Sequence, residues 1–227
     1  KDKFIAFDMG PCGHLLEPLG DMPFERAIEL FSQNVRAAYE NGADLILIET
    51  MNDSLETKAA VLAAKENCPL PVFVTNVYDE SGKLMTGADV RAMVAMLEGL
   101  RVDAIGINCS LGPDKMIPTV KELVKYSSLP VIVNPNAGLP DVKDGDTVYN
   151  INADDFSDIM KTISKMGVSL LGGCCGTSPD YIRKTVQKTA NDSPEFKKKD
   201  FTLVSSYTHA VEISDDPVLI GERINPT

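Results

Sequence analysis

The sequence predicts an α/β protein built on a parallel sheet. Short apolar runs alternate with longer segments whose apolar residues recur every three or four positions. This alternation is typical of strand–helix–strand units with right-handed crossovers. The apolar runs end in polar residues, whereas their beginnings carry nothing comparable. Because parallel α/β enzymes hold their chemistry at the carboxyl ends of the strands, one edge of the sheet is the candidate site.

Six strand–helix units can be recognised. Phe24, Phe31 and Val35 recur on one face of the first helix, and Asp53-Ser54 and Pro113-Asp114 resemble helix starts. A closed barrel of this class has eight strands and usually about 250 residues, so six strands would leave two open edges. The predicted strands are Phe4–Asp8, Leu45–Glu49, Val72–Asn76, Ala104–Asn108, Val131–Asn134 and Val168–Leu171, and the predicted helices are Phe24–Tyr39, Leu55–Lys65, Ala88–Leu100, Lys115–Tyr126, Ala153–Met166 and Tyr181–Thr189.

Polar residues close all six predicted strands. A single polar strand end means little, but the same pattern at six ends predicts that these side chains share one face. They are Asp8, Glu49, Thr50, Asn76, Asn108, Cys109, Asn134, Asn136, Cys174 and Cys175.

The composition changes after residue 190. The segment 191–200 is polar and typical of a linker, and 201–213 is typical of a short extended or hairpin-like tail. Residues 219–227 have the pattern of a strand followed by a polar turn. This pattern indicates the first strand of a further domain.

The overall charge excludes some partners. The 227 residues carry a formal net charge of -11, so a nucleic-acid ligand is not expected. No segment approaches the roughly 20 apolar residues of a membrane helix, and no signal-peptide pattern opens the chain. Five cysteines, an odd number, fit a reducing cytoplasm better than a disulfide framework.

Three of the cysteines form a candidate metal site. Cys109 follows one predicted strand, and Cys174 and Cys175 follow another, which is enough to hold zinc and leave one position open. A thiol bound at that position would lose its proton near neutral pH. Cys12 and Cys68 fit the core as small apolar residues.

Two other interpretations stand beside the metal site. The three cysteines could fill small spaces beside glycines, since free cysteine is common in cores. Alternatively, Gly172-Gly173 before a helix could cradle a phosphate, with Arg183 as the nearest basic residue.

The motifs Gly106-Ile-Asn-Cys-Ser110 and Gly172-Gly-Cys-Cys-Gly-Thr177 resemble the two zinc motifs of the homocysteine S-methyltransferase family. The resemblance extends through Asp8-Met-Gly-Pro-Cys-Gly13, Ile48-Glu-Thr50 and Asn134-Pro-Asn-Ala-Gly138, so it covers residues 1 to about 190. It implies a (β/α)8 TIM barrel of the homocysteine methyltransferase type whose first two β/α units are missing from this chain.

The resemblance also implies roles for individual residues. Cys109, Cys174 and Cys175 match the zinc ligands, and Asn136 matches an asparagine able to approach the metal when substrate is absent. Glu49 matches a carboxylate that helps to hold the homocysteine amino group, an ammonium that needs an anionic partner. The polar strand ends Asn108 and Asp8 are further candidates for substrate contact.

The tail narrows the resemblance to one branch of the family. Ile220-Gly-Glu-Arg-Ile-Asn-Pro226 resembles the opening strand of the pterin-binding domain in cobalamin-dependent methionine synthases. The implied organisation is a homocysteine- and zinc-binding barrel over 1–190, a linker and extended tail over 191–217, and a truncated first strand of the next domain over 218–227. Methylcobalamin and methyltetrahydrofolate would then bind to downstream cobalamin-binding and pterin-binding domains.

The implied reaction is methyl transfer to the sulfur of homocysteine, which forms methionine. Metal activation and positioning carry such a step, with little acid–base chemistry from the protein. One alternative is an S-methyltransferase that acts on another thiol or selenol, or that uses a sulfonium or betaine donor. Another is a non-catalytic scaffold in which the cysteines are merely packed.

Overall fold

The computed structural model describes residues 3–143, 145–194, 198–200 and 202–217, and its centre is a six-stranded parallel sheet. The predicted alternation of strands and helices is confirmed. In chain order the elements are β1 (Ala6–Met9), α1 (Phe24–Glu40), β2 (Leu45–Met51), α2 (Ser54–Asn67), β3 (Val72–Asn76), α3 (Val90–Gly99), β4 (Ala104–Asn108), α4 (Pro113–Tyr126), β5 (Val131–Asn134), β6 (Pro140–Lys143), β7 (Asp146–Tyr149), α5 (Ala153–Ser164), β8 (Leu170–Leu171), α6 (Pro179–Thr189), β9 (Thr202–Ser205) and β10 (Ala210–Ile213).

The sheet has the order β1-β2-β3-β4-β5-β8, and every neighbouring pair is parallel. Asn108 of β4 lies opposite Asn134 of β5, so the carboxyl ends of these strands meet at one edge. The register between β2 and β3 shifts between Ile48 and Met51. Such an irregularity re-aims side chains at a strand end, here those of Glu49 and Thr50.

Side-chain caps explain where three helices begin. The Asp53 carboxylate accepts hydrogen bonds from Leu55 N (2.5 Å) and Glu56 N (3.1 Å) at the start of α2. Asp89 and Asn152 cap α3 and α5 in the same way. The start predicted at Asp53-Ser54 is therefore confirmed, and its cause is satisfaction of otherwise unpaired N–H groups.

The core lies between the strands and the inner faces of the helices. Ile48, Val74 and Ile107 of the strands are fully buried or nearly so, as are Val35 of α1 and Phe156 of α5. Removing each such side chain from water contributes roughly 1.5–3 kcal/mol, so this layer holds the strand ends in fixed positions.

The two edge strands are shorter than the sequence predicts. Phe4 and Ile5 are 74% and 62% exposed and precede β1, and β8 contains only Leu170 and Leu171. The reason is that β1 and β8 each have one neighbour in the sheet, so half of their backbone groups find no ladder partner. Within the described residues, the prediction that six strands leave two open edges is confirmed.

Two antiparallel hairpins lie outside the main sheet. The pair β6–β7, between β5 and α5, has no counterpart in the sequence-based expectations. The pair β9–β10 is an antiparallel hairpin within the segment 201–213, for which the sequence predicts a short extended or hairpin-like tail. The strand predicted within 218–227 lies outside the described residues.

The tail hairpin is attached to the body through polar contacts. The Tyr207 hydroxyl donates to the carboxylate of Asp53 (3.0 Å), and the Ser54 hydroxyl donates to the carbonyl of Tyr207 (3.0 Å). Arg91 of α3 pairs with Glu212 of β10 at 3.3 Å. In the part of the chain that the structure describes, no helix combines the length and apolar character needed to cross a membrane.

Candidate metal centre

Three cysteines meet at the carboxyl ends of β4 and β8. Cys109 directly follows β4, and Cys174 and Cys175 follow β8 after two glycines. The segment after β5 lies between them, because Cys109 N donates to the carbonyl of Asn134 (3.1 Å) and Cys174 N donates to that of Pro135 (2.8 Å). One connecting segment therefore fixes the backbone of both cysteine-bearing loops.

The peptide groups of Cys175 are held on both sides. Its N–H donates to the side-chain oxygen of Asn136 (3.1 Å), and its carbonyl accepts from Ala137 N (2.9 Å). Asn136 is only 4% exposed. The amide oxygen of Asn136 is thus engaged with the backbone of Cys175 and would have to leave it to approach a metal.

The three sulfur atoms have the spacing of a tetrahedral thiolate site. All lie within 4.8 Å of one another, with 3.8 Å between the Sγ atoms of Cys109 and Cys175 and 4.0 Å between those of Cys174 and Cys175. Zinc–sulfur bonds of about 2.3 Å in tetrahedral geometry place ligand sulfurs roughly 3.8 Å apart. All five cysteines are free thiols, so the residues present fit a zinc ion with an open fourth position.

The backbone at these strand ends adopts conformations that are unusual for residues with a Cβ. Thr50, Cys109 and Ser110 have φ values of 61°, 58° and 65°. Left-handed conformations of non-glycine residues cluster at functional sites, where the surrounding structure holds them. The observation supports the strand ends of β2 and β4 as parts of one site.

Gly172 is required by close packing. A Cβ at this position would lie 2.5 Å from the side-chain oxygen of Asn134. Any larger residue would therefore displace either Asn134 or the turn that carries Cys174 and Cys175.

The thiols share hydrogen bonds and thereby influence each other's protonation. Hydrogen bonding from the thiol of Cys174, with smaller contributions from Cys175 and Asn136, lowers the pKa of Cys109 to about 5. The same contact with Cys109 raises the pKa of Cys174, and burial raises it further. The cluster thus favours one thiolate stabilised by neighbouring donors, which is the form that binds metal.

One carboxylate, Glu49, lies beside Cys109, and a second, Asp8, lies beside Glu49. Burial raises the pKa of Glu49, and the charges of Asp8 and Cys109 raise it further. Partial burial also raises the pKa of Asp8, although its side chain on the edge strand β1 is the more exposed of the two. The sequence-predicted residues Glu49 and Asp8 therefore face the same edge as the cysteines, with no hydrogen bond to them.

Asn108 lies behind the thiols and is fully buried. Its side-chain oxygen accepts from Thr50 N (2.8 Å) and the Thr75 hydroxyl (2.8 Å). Its amide nitrogen donates to the Thr50 hydroxyl (2.7 Å) and to the sulfur of Cys174 (3.8 Å). All four of these hydrogen bonds of the Asn108 side chain are made to other groups of the protein.

Tyr149 is a site residue that sequence reasoning missed. A Cβ added at Gly176 would lie 2.5 Å from Cγ of the Tyr149 ring, so this ring covers the turn that follows Cys175. Burial raises the pKa of the Tyr149 hydroxyl, and interaction with Cys175 raises it further. The Asp-Gly pair at 144–145 is a hairpin signal that could have indicated a folded segment here.

The remaining cysteines lie away from the cluster. Cys68 is 8% exposed and its thiol contacts the carbonyl of Ala64, as expected of a packed cysteine. Cys12 donates its N–H to Glu56 (2.7 Å).

The phosphate-cradle interpretation receives no support from its basic residue. Arg183 is paired with Asp180 at 2.8 Å on the exposed surface of α6. A cavity of about 560 Å³ does exist, but Leu129, Gly167 and Ser169 line it at the amino ends of the strands, away from the cysteines.

Comparisons with known proteins agree with the geometry. The family model for homocysteine S-methyltransferase matches residues 1–189. Methionine synthase of Mycobacterium leprae is 33% identical over 237 residues, which cover 98% of this chain and 20% of that protein. Methionine synthase of Mycobacterium tuberculosis is 33% identical over 234 residues, which cover 99% of this chain and 20% of that protein.

Two solved structures of a homocysteine methyltransferase are similar to this chain in fold. The apo form of the Escherichia coli homocysteine methyltransferase MmuM superposes with a TM-score of 0.67 at 24% identity, covering 82% of this chain and 62% of that one. Its metallated form gives a TM-score of 0.59 at 26% identity, over 71% of this chain and 52% of that one. The chain spans about a fifth of the length of the curated relatives it matches. On the match over residues 1–189, the chain belongs to the homocysteine S-methyltransferase family.

Proposed function

We propose that this chain holds Zn²⁺ through Cys109, Cys174 and Cys175 and activates the thiol of homocysteine for methyl transfer to form methionine. The observation that carries the proposal is the convergence of three free thiols from two strand ends, 3.8–4.0 Å apart in two of the pairs. Family membership and the existence of a metallated form of the related MmuM protein support it.

The site is preorganised in the ligand-free chain. Backbone hydrogen bonds from the segment after β5 hold all three cysteines, so little reorganisation is needed on binding. Bound zinc stabilises the thiolate form of a sulfur ligand and so provides a nucleophile near neutral pH. Cys175 is the most exposed of the three cysteines, which leaves this side of the cluster open to substrate.

Other residues would orient the substrate. Glu49 lies half-buried beside the thiols and would accept a hydrogen bond from the homocysteine ammonium, with Asp8 adding negative charge nearby. Asn136 would occupy the open side in the absence of substrate, after releasing the N–H of Cys175. Each of these groups binds or orients, and none needs to transfer a proton.

The sheet would form part of a larger barrel. We propose that its six strands are the third to eighth of a (β/α)8 TIM barrel, because both edges, β1 and β8, are open. Residues 1–190 would be the homocysteine- and zinc-binding barrel, and 191–217 the linker and extended tail. Residues 218–227, outside the described part, would begin a pterin-binding domain.

The methyl donor would come from elsewhere in a longer protein. The chain spans about a fifth of the mycobacterial methionine synthases. We propose methylcobalamin as the donor and methyltetrahydrofolate as its methyl source, both on downstream domains that reach the carboxyl edge of the sheet.

The test is Cys174→Ser, with Cys12→Ser as the matched control outside the cluster. We expect Cys174→Ser to lose zinc, measured by metal analysis after purification without chelator, and to lose proton release on homocysteine addition. Cys12→Ser should retain both. If Cys174→Ser keeps its zinc and the proton release, the proposal fails.

If wild-type protein carries no metal and its thiols are unreactive, the scaffold interpretation is correct. If a selenol is methylated in preference to homocysteine, or a sulfonium donor is used in preference to methylcobalamin, the protein is a related methyltransferase instead.

A further inference from the structure

Asn108 connects two parts of the site that the sequence keeps far apart. It uses both lone-pair directions of its oxygen and both N–H groups of its amide within the protein. Three of the four bonds tie it to Thr50 and Thr75, at the ends of β2 and β3, and the fourth reaches the sulfur of Cys174. The side chain is fully buried, so water does not compete for these bonds.

The contacts with Thr50 hold an unusual backbone. Thr50 has a φ of 61° and lies where the register between β2 and β3 shifts. Asn108 binds both its N–H (2.8 Å) and its hydroxyl (2.7 Å). Because Glu49 is the preceding residue, the same bonds restrain the backbone from which its side chain projects.

The contact with Cys174 adds a donor to a sulfur ligand. The amide nitrogen lies 3.8 Å from Sγ, within the range of N–H···S hydrogen bonds. Such outer partners orient metal ligands and tune them, and losing one typically reduces metal affinity or activity about 10–100-fold.

We propose that Asn108 is a positioning residue, which fixes the Glu49–Thr50 strand end and the sulfur of Cys174 relative to each other. The inference rests on the proposed function, because it assumes that Glu49 holds the amino group of homocysteine and that Cys174 helps to hold the metal that binds its thiol. It also differs from the sequence-based expectation that Asn108 contacts substrate.

Asn76 shows that a buried asparagine at a strand end need not serve this purpose. It closes β3, is fully buried and donates to the Met51 carbonyl (3.2 Å) and the Thr57 hydroxyl (3.0 Å). None of its hydrogen bonds reaches a cysteine. The two asparagines have the same type, burial and strand position, so Asn76 is a matched control for Asn108.

The experiment compares Asn108→Asp, Thr50→Val and the control Asn76→Asp in the intact chain. Asn108→Asp keeps the shape but removes the donor to Cys174 and places negative charge beside a thiolate. We expect a loss of zinc affinity of about 10–100-fold by chelator competition, and loss of the homocysteine-induced change in the Co²⁺–thiolate absorption spectrum. Asn76→Asp should lose stability but keep both properties. Thr50→Val, which leaves the asparagine in place, should shift both in the same direction by less.

Equal zinc affinity and equal spectra in Asn108→Asp and Asn76→Asp would overturn the proposal. If Asn108→Asp does not fold, Thr50→Val decides, and wild-type behaviour in both measurements overturns it. A third readout uses metal-free protein, in which iodoacetamide labelling of Cys174 relative to Cys109 is followed by mass spectrometry. The ratio should change in Asn108→Asp and Thr50→Val only. Because this ratio does not depend on zinc or homocysteine, it separates failure of the positioning role from failure of the proposed function.

Discussion

Replacing Gly176 by alanine should disturb the metal centre without touching a cysteine. Gly176 has a φ of 78°, and a methyl group there would lie 2.5 Å from Cγ of Tyr149. Ordinary contact begins near 3.4 Å and Cδ2 of the ring would lie closer still than Cγ, so the ring or the turn must move by more than about 0.9 Å. The left-handed backbone adds about 1–2 kcal/mol of strain for a residue with a Cβ, and overpacking adds about 1–3 kcal/mol.

Gly42→Ala separates these two effects. Gly42 has a similar φ of 87°, but nothing lies within 4 Å of an added Cβ. This control should therefore lose about 1–2 kcal/mol of unfolding free energy from backbone strain alone. Gly176→Ala should lose more, because Tyr149 or the adjacent Cys175 is displaced as well.

Two assays test this reasoning. Urea unfolding gives the free energies, and chelator competition gives the zinc affinity. We expect Gly42→Ala to bind zinc as wild type does and Gly176→Ala to bind it about 10–100-fold more weakly, as for loss of an outer partner. Gly176→Ala with the stability and zinc affinity of Gly42→Ala would show that Tyr149 does not restrain the cysteine turn.

Two further predictions concern groups around the site. Burial raises the pKa of Glu49, so between about 4.3, the unfolded value, and the raised native value the folded chain binds more protons. Stability therefore falls as pH rises through this window. Glu49→Gln should raise the calorimetric unfolding midpoint at pH 7 and give no gain below about pH 4. A gain that is equal at both pH values would contradict the argument. Tyr207→Phe removes the donor to the buried carboxylate of Asp53 and should cost about 1–3 kcal/mol in urea unfolding. It should also speed proteolysis within 202–213, whereas Tyr39→Phe, at an exposed position, should change neither.

Much of the architecture could be predicted because its signals are local. The strands Val72–Asn76, Ala104–Asn108 and Val131–Asn134 agree with the sequence-based bounds. They are interior strands, whose apolar runs are buried by neighbours on both sides. The interior strand β2 runs two residues beyond its predicted end, to Met51. The edge strands β1 and β8 are shorter than predicted, since the length of an edge strand depends on a partner that the local sequence does not specify.

The β6–β7 hairpin shows a second limit. Its strands are short and exposed, so neither carries the apolar pattern that identifies a strand. Its relevance to the site comes from a contact between Tyr149 and Gly176, 27 positions apart, which no local pattern encodes.

The meeting of three cysteines at one edge could be predicted from the sequence, because parallel strands connected by helices bring their carboxyl ends together. The hydrogen bonds of the neighbouring polar residues could not, since they depend on the assembled sheet. Asn76 and Asn108 close adjacent strands and look alike in the sequence, yet one binds Met51 and Thr57 and the other reaches Cys174. A buried amide can hydrogen-bond only to the groups that the register places beside it, and the register is a property of the whole sheet.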